Sequence, residues 1–582
     1  MEYQLIAPID PNKTIVEQIL TNRGIPLEEV PHYLNATKED EFSPLLLKNI
    51  EEGAQLLFKH LLKGHVYIQI DEDVDGYTSS AILLNYLHLW GKTIVESKIS
   101  YDFHEGKGHG IVVESIPPET TLVVAIDGGA NEYEIHKGLR ERGIEVLILD
   151  HHHADKESPY ACVIDNQLCD YPNKALCGAG IVYKFCQYLD SKFNVNYADN
   201  FLDLVALGLT ADMMDVKSIE TIYLIHEGYK QIRNPFIKGM VEKNEFKLGV
   251  GIPTPIDMAF YVAPYINAMA RTGAKEQKKV FFESLLDWKA NELIPSTKRG
   301  EKGKTEMIVT QAIRTCINVK NHQMDMRDEN MTNIENLIKE QDLLSRKVLM
   351  ILMPSDCPIN PNLSGLVANE LSNKYQRPTL ILNERTNEEG DKIWIGSARG
   401  YEKSRLKDFR AFCENSKLLE FAQGHGNAFG FSILDSRVKD FIEYCETTLK
   451  DINFSLSYNV DFIYSGNNFK PQDILSVSEL KHYWGTGLNE AKVALEGIAV
   501  TADNLKLMSP DRNPTLKITL SNGVSCIKFK SSEEEFNELF SESGCVVINL
   551  VGRCESNEYN GLITPQILIE NYDIVNRQKY YF

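Results

Sequence analysis

The stretch from Ile70 to Ser80, IDEDVDGYTSS, sets four carboxylates (Asp71, Glu72, Asp73 and Asp75) within five residues, directly after the apolar run HVYIQI. Further acids stand where other apolar runs end: Asp127 after TTLVVAI, Asp150 after IEVLIL and Asp212 after LVALGLTA, with His151 and His152 following Asp150. Hard oxygen donors joined by one or two histidines, with no thiolate among them, suit Mn2+ or Mg2+ better than a structural zinc. Carboxylates packed together without a cation repel one another strongly. The chemistry these residues imply is therefore that of a divalent-metal centre.

Two blander readings of the first cluster are weighed against this one. Asp71-x-Asp73-x-Asp75-Gly76 begins like an EF-hand loop, but the bidentate Glu required at position twelve is Ile82, and the preceding residues are strand-like rather than helical. A solvated acidic turn after a strand is common, yet it does not explain why acids recur at the ends of successive apolar runs. In an extended segment Asp73 and Asp75, two residues apart, are expected on the same side.

For such distant side chains to meet, the elements carrying them must converge. HVYIQI, TTLVVAI and IEVLIL are separated by helix-length stretches such as SSAILLNYLHLW, read as amphipathic. That alternation predicts an α/β fold with a parallel sheet, whose strands open with their carboxyl ends on one crevice. Around this domain, taken as residues 61–274, the chain divides further. Residues 1–60 read as an N-terminal helical segment, and 275–345 as a polar helical connector with a flexible basic loop, STKRGEKGK. A second α/β pattern over 346–455 contains KVLMILM, RPTLILN and KIWIGSAR. Short β-type runs over 456–582 (TLKITL, VSCIKFK, CVVINLVGR, TPQILIENY) predict a small barrel of OB-fold type.

The bulk numbers agree with a folded, multi-domain protein. At 582 residues the chain exceeds what one core supports, and 43% hydrophobic with 25% charged residues is ordinary for globular protein. Its N-terminal residues form no basic-then-apolar leader and no segment has ~18 consecutive apolar residues, so a soluble, cytoplasmic protein without membrane contact is expected. Eleven cysteines, an odd number with no C-x-x-C pair, predict reduced thiols. The net charge of −21 disfavours a polyanionic partner on its face. An acidic metal centre supplies several of those negatives, however, and its cations reverse the local field.

In order along the chain, DVDG, Asp127, the triplet Asp150-His151-His152 and ALGLTADMMD resemble the DHH phosphoesterase superfamily. CGAGIVYKF (177–185), YINAMARTG (265–273), LSGLVANELSNKYQRPTLIL (363–382), IGSARG (395–400) and GHGNAFGF (424–431) narrow the resemblance to RecJ-like single-strand exonucleases. It implies a DHH domain, a DHH-associated substrate-binding domain and an OB-fold. It also implies two Mn2+ or Mg2+ ions held by Asp73, Asp75, Asp127, His151 and Asp212, with Asp71 and His152 close by. By the same resemblance Ser397 and Arg399 hold a substrate phosphate, and His425, Asn267 and Arg271 line the substrate cleft.

The implied activity is hydrolysis of single-stranded DNA from the 5′ end to nucleoside 5′-monophosphates, in recombination, repair or replication. The implied protein is a monomer recruited by a single-strand-binding protein or a helicase. The chain departs from the family pattern at three places. Gln69 stands where a His is frequent, Asp102 where an Arg precedes EGKG (105–108), and Tyr265 where an Arg precedes INA; His104 and Lys107 are the candidate replacements at the second. Two alternatives remain open at this point: a phosphodiesterase for short oligonucleotides or cyclic dinucleotides, and a non-catalytic replication scaffold on the same fold.

Overall fold

The structure is a computed structural model, and it describes residues 1–579 except 105–109, 249–250, 388, 402–403, 405, 453, 455–456, 511, 542–543 and 560. It divides into two compact units. One comprises Arg23–His322 with Leu480–Glu490; the other comprises Met1–Asn22, Gln323–Glu479 and Ala491–Phe582.

The first unit is built on a five-stranded, wholly parallel sheet in the order Ile99–Phe103, Val66–Ile70, Leu122–Ile126, Glu145–Asp150, Cys162–Asp165. Val66–Ile70 and Leu122–Ile126 are buried at every residue, as continuous apolar runs must be when both faces of a sheet are covered. The register brings Ile126 opposite Leu149, and Asp127 donates its N–H to Leu149 O at 2.9 Å, so Asp127 and Asp150 leave the sheet side by side.

Three local expectations are corrected. Asp73 and Asp75 do not lie on an extended segment, because the chain turns at Asp73, whose side chain accepts the N–H of Gly76 at 3.1 Å and caps the helix Val74–Trp90. That helix is not amphipathic: Val74 to Leu87 are all buried, since it runs between the sheet and the helices Gly178–Phe193 and Leu202–Ala211. LVALGLTA is itself helical, and Asp212 is the C-cap of the helix Leu202–Ala211 rather than a strand end. A short apolar run fits a buried helix as well as a buried strand.

The helix Gly178–Phe193 is fixed from within by a buried ion cluster. Lys184, fully buried, stands 2.7 Å from Glu220 Oε1 and 3.1 Å from Glu41 Oε2, and donates to Phe42 O at 3.1 Å. Tyr171 donates its hydroxyl to Glu220 Oε1 as well, at 2.9 Å, and Asn173 Nδ2–H donates to Oε2 at 3.0 Å. Within residues 275–345, the STKRGEKGK stretch caps a β-hairpin, Leu293–Pro295 with Thr305–Met307, before the 33-residue helix Ile308–Glu340.

Among the described residues the second unit holds two large sheets and a two-stranded one. The first runs Leu419–His425, Ala428–Leu434, Lys392–Arg399, Thr379–Thr386, Leu349–Met353, antiparallel except for its last pair. The second is a seven-stranded sheet formed by residues 462–579, in which Gly544–Tyr559 and Leu562–Lys579 make the longest antiparallel pair. Residues 1–60, read as helical, instead begin with the strand Glu2–Leu5, which pairs in parallel with Ser457–Val460. A strand whose partner lies hundreds of residues away carries no local signal of the pairing. Among the described residues no helix is long and apolar enough to cross a membrane, and all eleven cysteines are free thiols.

The buried cluster yields a stability test. Lys184→Met leaves Glu220 and Glu41 uncompensated in the interior, and the first unit is expected to lose about 3–5 kcal/mol. Urea denaturation checks this, and an unchanged midpoint contradicts it.

Candidate metal centre

Each acid of the site is positioned by the element behind it. Asp75, in the first turn of its helix and 2% exposed, receives two backbone N–H groups from the start of another helix: Gly178 N at 2.5 Å to Oδ2 and Ala179 N at 2.9 Å to Oδ1. Both of its oxygens are thus held by backbone N–H groups that open a helix, a position where acceptors are favoured. The approach is possible only because two neighbours are glycines. A Cβ on Gly178 would stand 2.8 Å from Asp127 Cβ, and one on Gly208 would stand 2.6 Å from Asp75 Oδ1. Asp127 itself adopts a left-handed conformation (φ 64°), which turns its side chain back across the end of the sheet.

His151 is the meeting point. Its Nε2 lies 3.1 Å from Asp127 Oδ1, 3.5 Å from Asp212 Oδ2 and 3.8 Å from Asp75 Oδ2. Ligand atoms of Asp75, His151 and Asp212 all fall within 4.8 Å of one another, as do those of Asp71, Asp73 and Asp127. Among the described residues these are two adjoining three-donor sets, beside a third group of Asp127, Asp150, His151 and His152. Asp71 is also 3.7 Å from His104 Nε2, which in turn bonds Gly110 O at 2.8 Å.

The electrostatics are those of crowded like charges. Burial, then the charges of Asp75 and Asp73, push the Asp212 carboxyl up to about 8. Burial and the same neighbours hold Asp127 well above the carboxylate range, and Asp73 is raised by burial and by Asp75 and Asp71. Burial lowers His151. One imidazole nitrogen facing three carboxylates can satisfy at most one of them by hydrogen bonding. Divalent cations satisfy all of them, and the all-oxygen-plus-imidazole donor set fits Mn2+ or Mg2+.

Asp150 has a different task. Its Oδ1 accepts the N–H groups of His151 (2.7 Å) and His152 (3.1 Å) and meets His152 Nδ1 at 2.8 Å, while Oδ2 accepts Ala130 N–H at 3.1 Å. Burial opposes its ionisation, but the His152 bond, the two histidine charges and the Ala130 N–H outweigh it and bring Asp150 down to about 2. In return the bond to Asp150 raises His152 to about 9, against a smaller opposing effect of burial. His152 is therefore cationic at neutral pH, with half of its side chain (53%) open to solvent.

The other sequence-selected residues fall in several places. Arg271, exposed on the helix Ala263–Thr272, is close enough for its charge to act on Asp73, and Asn267 on the same helix has its Oδ1 buried without a partner. Ser397, Arg399 and His425 belong to the second unit. There Ala428 pairs with Arg399 on one side and His425 on the other, so these two side chains share a sheet face. Ser397 Oγ lies 2.7 Å from Ser364 Oγ, and a Cβ on Gly365 would meet Arg399 Nη2 at 2.6 Å, so the glycine makes room for the guanidinium.

Of the departures, Gln69 is buried and turned to its neighbours: Nε2 donates to Asp102 O (3.3 Å), while Oε1 accepts Tyr67 Oη–H (3.1 Å) and Val112 N–H (3.4 Å). Asp102 pairs with Lys275 at 2.8 Å. Tyr265 is partly buried on the helix Ala263–Thr272, and Lys107 with the rest of EGKG lies outside the described residues. Residue-type reasoning missed two contributors: the Gly178–Ala179 grip on Asp75 and the bracing role of Asp150. The signal for the first was present in CGAG, since glycines opening a helix mark a close backbone approach.

Residues 65–209 match the family model described as "DHH family, N-terminal domain". The chain is 36% identical over 584 residues to YorK, an SPbeta prophage-derived protein of Bacillus subtilis (strain 168) provisionally named a single-strand DNA-specific exonuclease; the match covers 100% of this chain and 99% of YorK. It is 25% identical to the single-stranded-DNA-specific exonuclease RecJ of the same organism, over 96% of this chain and 67% of that protein. Among solved structures, RecJ from Thermus thermophilus in complex with Mn2+ superposes with a TM-score of 0.70 at 19% identity, covering 99% of this chain and 80% of the other.

Charge crowding predicts opposite effects of one substitution with and without metal. In metal-free protein Asp127→Asn relieves repulsion, and Tm is expected to rise by about 2–4 °C. Ligand binding raises the Tm of a native state, so Mn2+ should stabilise the wild type and lose that effect in Asp127→Asn. Differential scanning fluorimetry with and without Mn2+ measures both, and an undiminished Mn2+ shift in the variant contradicts the assignment.

Proposed function

This chain belongs to the RecJ-like family of single-strand DNA-specific exonucleases within the DHH superfamily, and from that membership we propose that it hydrolyses single-stranded DNA from an end, with Mn2+ or Mg2+ as cofactor. The family resemblance adds a 5′ to 3′ direction and nucleoside 5′-monophosphate products. The observation that carries the reading is the convergence of Asp75, Asp127 and Asp212 on one nitrogen of His151. A non-catalytic scaffold has no use for so costly an arrangement of acids.

In this reading Asp73, Asp75, Asp127, His151 and Asp212 hold two divalent ions. Ions held by these residues would supply Lewis acidity toward a water and toward the phosphate oxygens. His152, kept protonated and oriented through Nδ1 by Asp150, presents Nε2–H as a cationic donor to a phosphate oxygen. The Gly178 and Ala179 N–H groups hold the Asp75 carboxyl in place, so no reorganisation of it accompanies the reaction. By the family resemblance Asn267, Arg271 and His425 line the substrate cleft, and Ser397 and Arg399 hold a substrate phosphate.

Recruitment by a single-strand-binding protein or a helicase, a monomeric state and a cytoplasmic location complete the proposal. The processes served are recombination, repair and replication.

End-labelled single strands of DNA and RNA, with and without a 5′-phosphate, digested in Mn2+ and in Mg2+, test the activity. Mononucleotides released from the 5′ end of DNA are expected, and chelation by EDTA should stop the reaction. Shortening from the 3′ end alone overturns the polarity, and no hydrolysis under either metal overturns the activity. Asp150→Asn, which removes the charge that holds His152, is expected to lower kcat by about 10–100-fold. Unchanged turnover excludes the His152 role.

A further inference from the structure

Asp212 differs from the other acids of the centre. Asp75 is gripped by two N–H groups, whereas among the described residues no hydrogen bond reaches the Asp212 carboxylate. It also lies past the end of a helix, with 30% of its side chain exposed, so the backbone behind it has to set its place. That backbone is a sharp turn. Met213 is left-handed (φ 56°), disfavoured for a residue with a Cβ, and Met214 donates its N–H back to Leu209 O at 3.0 Å.

A separate segment closes on this turn. Leu480–Glu490 belongs to the unit that carries the acids, although the residues on both sides of it in sequence belong to the other. Thr486 O accepts the N–H of Val216 at 3.0 Å, and Tyr33 donates its hydroxyl to Val216 O at 2.8 Å, so both backbone groups of Val216 are engaged. Gly485 and Gly487 press on the same turn. A Cβ on Gly485 would stand 2.8 Å from Val216 Cγ1, and one on Gly487, at φ +82°, would stand 2.0 Å from Asp215 Oδ1. Asp215, the second acid of TADMMD, thus packs against Gly487 while its Oδ1 accepts Lys217 N–H at 2.9 Å.

The segment is itself tied down. Gly485 and Leu488 exchange two backbone hydrogen bonds of 3.1 Å. Tyr483 donates to Leu34 O at 2.7 Å, and His226 Nε2 donates to His482 O at 2.8 Å. Arg23 donates through Nε to Asn489 O at 2.7 Å, with its guanidinium over the Trp484 ring.

We propose that residues 480–490 form a positioning strap that, through Asp215 and Val216, sets the turn 213–216 and so holds the Asp212 carboxylate in the metal centre. The inference rests on Asp212 being a metal ligand, as the proposed function has it. Gly485 and Tyr33 are positioning residues: neither side touches metal or substrate, and their effect passes through the turn.

The test is Mn2+ affinity, read by electron paramagnetic resonance of free Mn2+ in titrations of the full chain. Gly485 lies outside the left-handed region, so Gly485→Ala tests the collision with Val216 rather than backbone strain. Its affinity is expected to fall about 10-fold, as when a group supporting a metal ligand is disturbed. Adding Val216→Ala to the same chain should recover most of that loss. Unchanged affinity in folded Gly485→Ala, or a loss that Val216→Ala leaves unrepaired, overturns the strap.

If Gly485→Ala does not fold, Tyr33→Phe removes only the hydroxyl bond to Val216 O, and weaker Mn2+ binding is again the expected result. A lower Tm with wild-type affinity marks a merely structural role and overturns the proposal. Asp212→Asn separates the two layers. Undiminished affinity there removes the ligand assignment, whereas loss there with normal affinity in both strap variants removes the strap alone.

Discussion

Like-charge repulsion at the carboxyl end of one parallel sheet is the constraint on which the rest of this structure depends. Five aspartates converge there: Asp75, Asp127 and Asp212 on His151, and Asp71 and Asp73 on Asp127, most of them buried. Left to themselves such groups protonate or push the fold apart, and the raised carboxyl pKa values of Asp73, Asp127 and Asp212 express that cost. The surrounding architecture reads as the means of holding them in spite of it. A helix N-terminus is aimed at Asp75, two glycines clear the space, a left-handed backbone carries Asp127, and a buried lysine secures the helix that does the aiming.

The same arrangement separates two kinds of acid. Asp127 and Asp212 turn an oxygen to His151, whereas Asp150, one residue before His151, commits both of its oxygens to backbone N–H groups and to His152. Burial thus disfavours the charged form of His151, while the bond to Asp150 favours that of His152, in consecutive positions. A chain with a net charge of −21 gains a local positive donor where an anionic substrate needs it.

Much of this was legible in the sequence. Apolar runs ending in acids announced the parallel sheet and its crevice, and the donor types announced a hard divalent metal. Less legible was whatever depends on partners distant along the chain. Nothing near Glu2–Leu5 signals its pairing with Ser457–Val460, so a strand passed for part of a helical segment. Asp73 and Asp75 were placed on a strand because the capping geometry that starts the helix at Asp73 is a property of the folded turn. LVALGLTA looked like its strand neighbours because a helix buried on all sides has no polar face to betray its period.

The central claim is that these side chains share a pair of divalent ions. A crystal grown with Mn2+, with anomalous scattering collected at the manganese edge, addresses it most directly. Two peaks are predicted, one among Asp75, His151 and Asp212 and one among Asp71, Asp73 and Asp127. A map with no peak in that crevice, in crystals that show manganese elsewhere, contradicts the account.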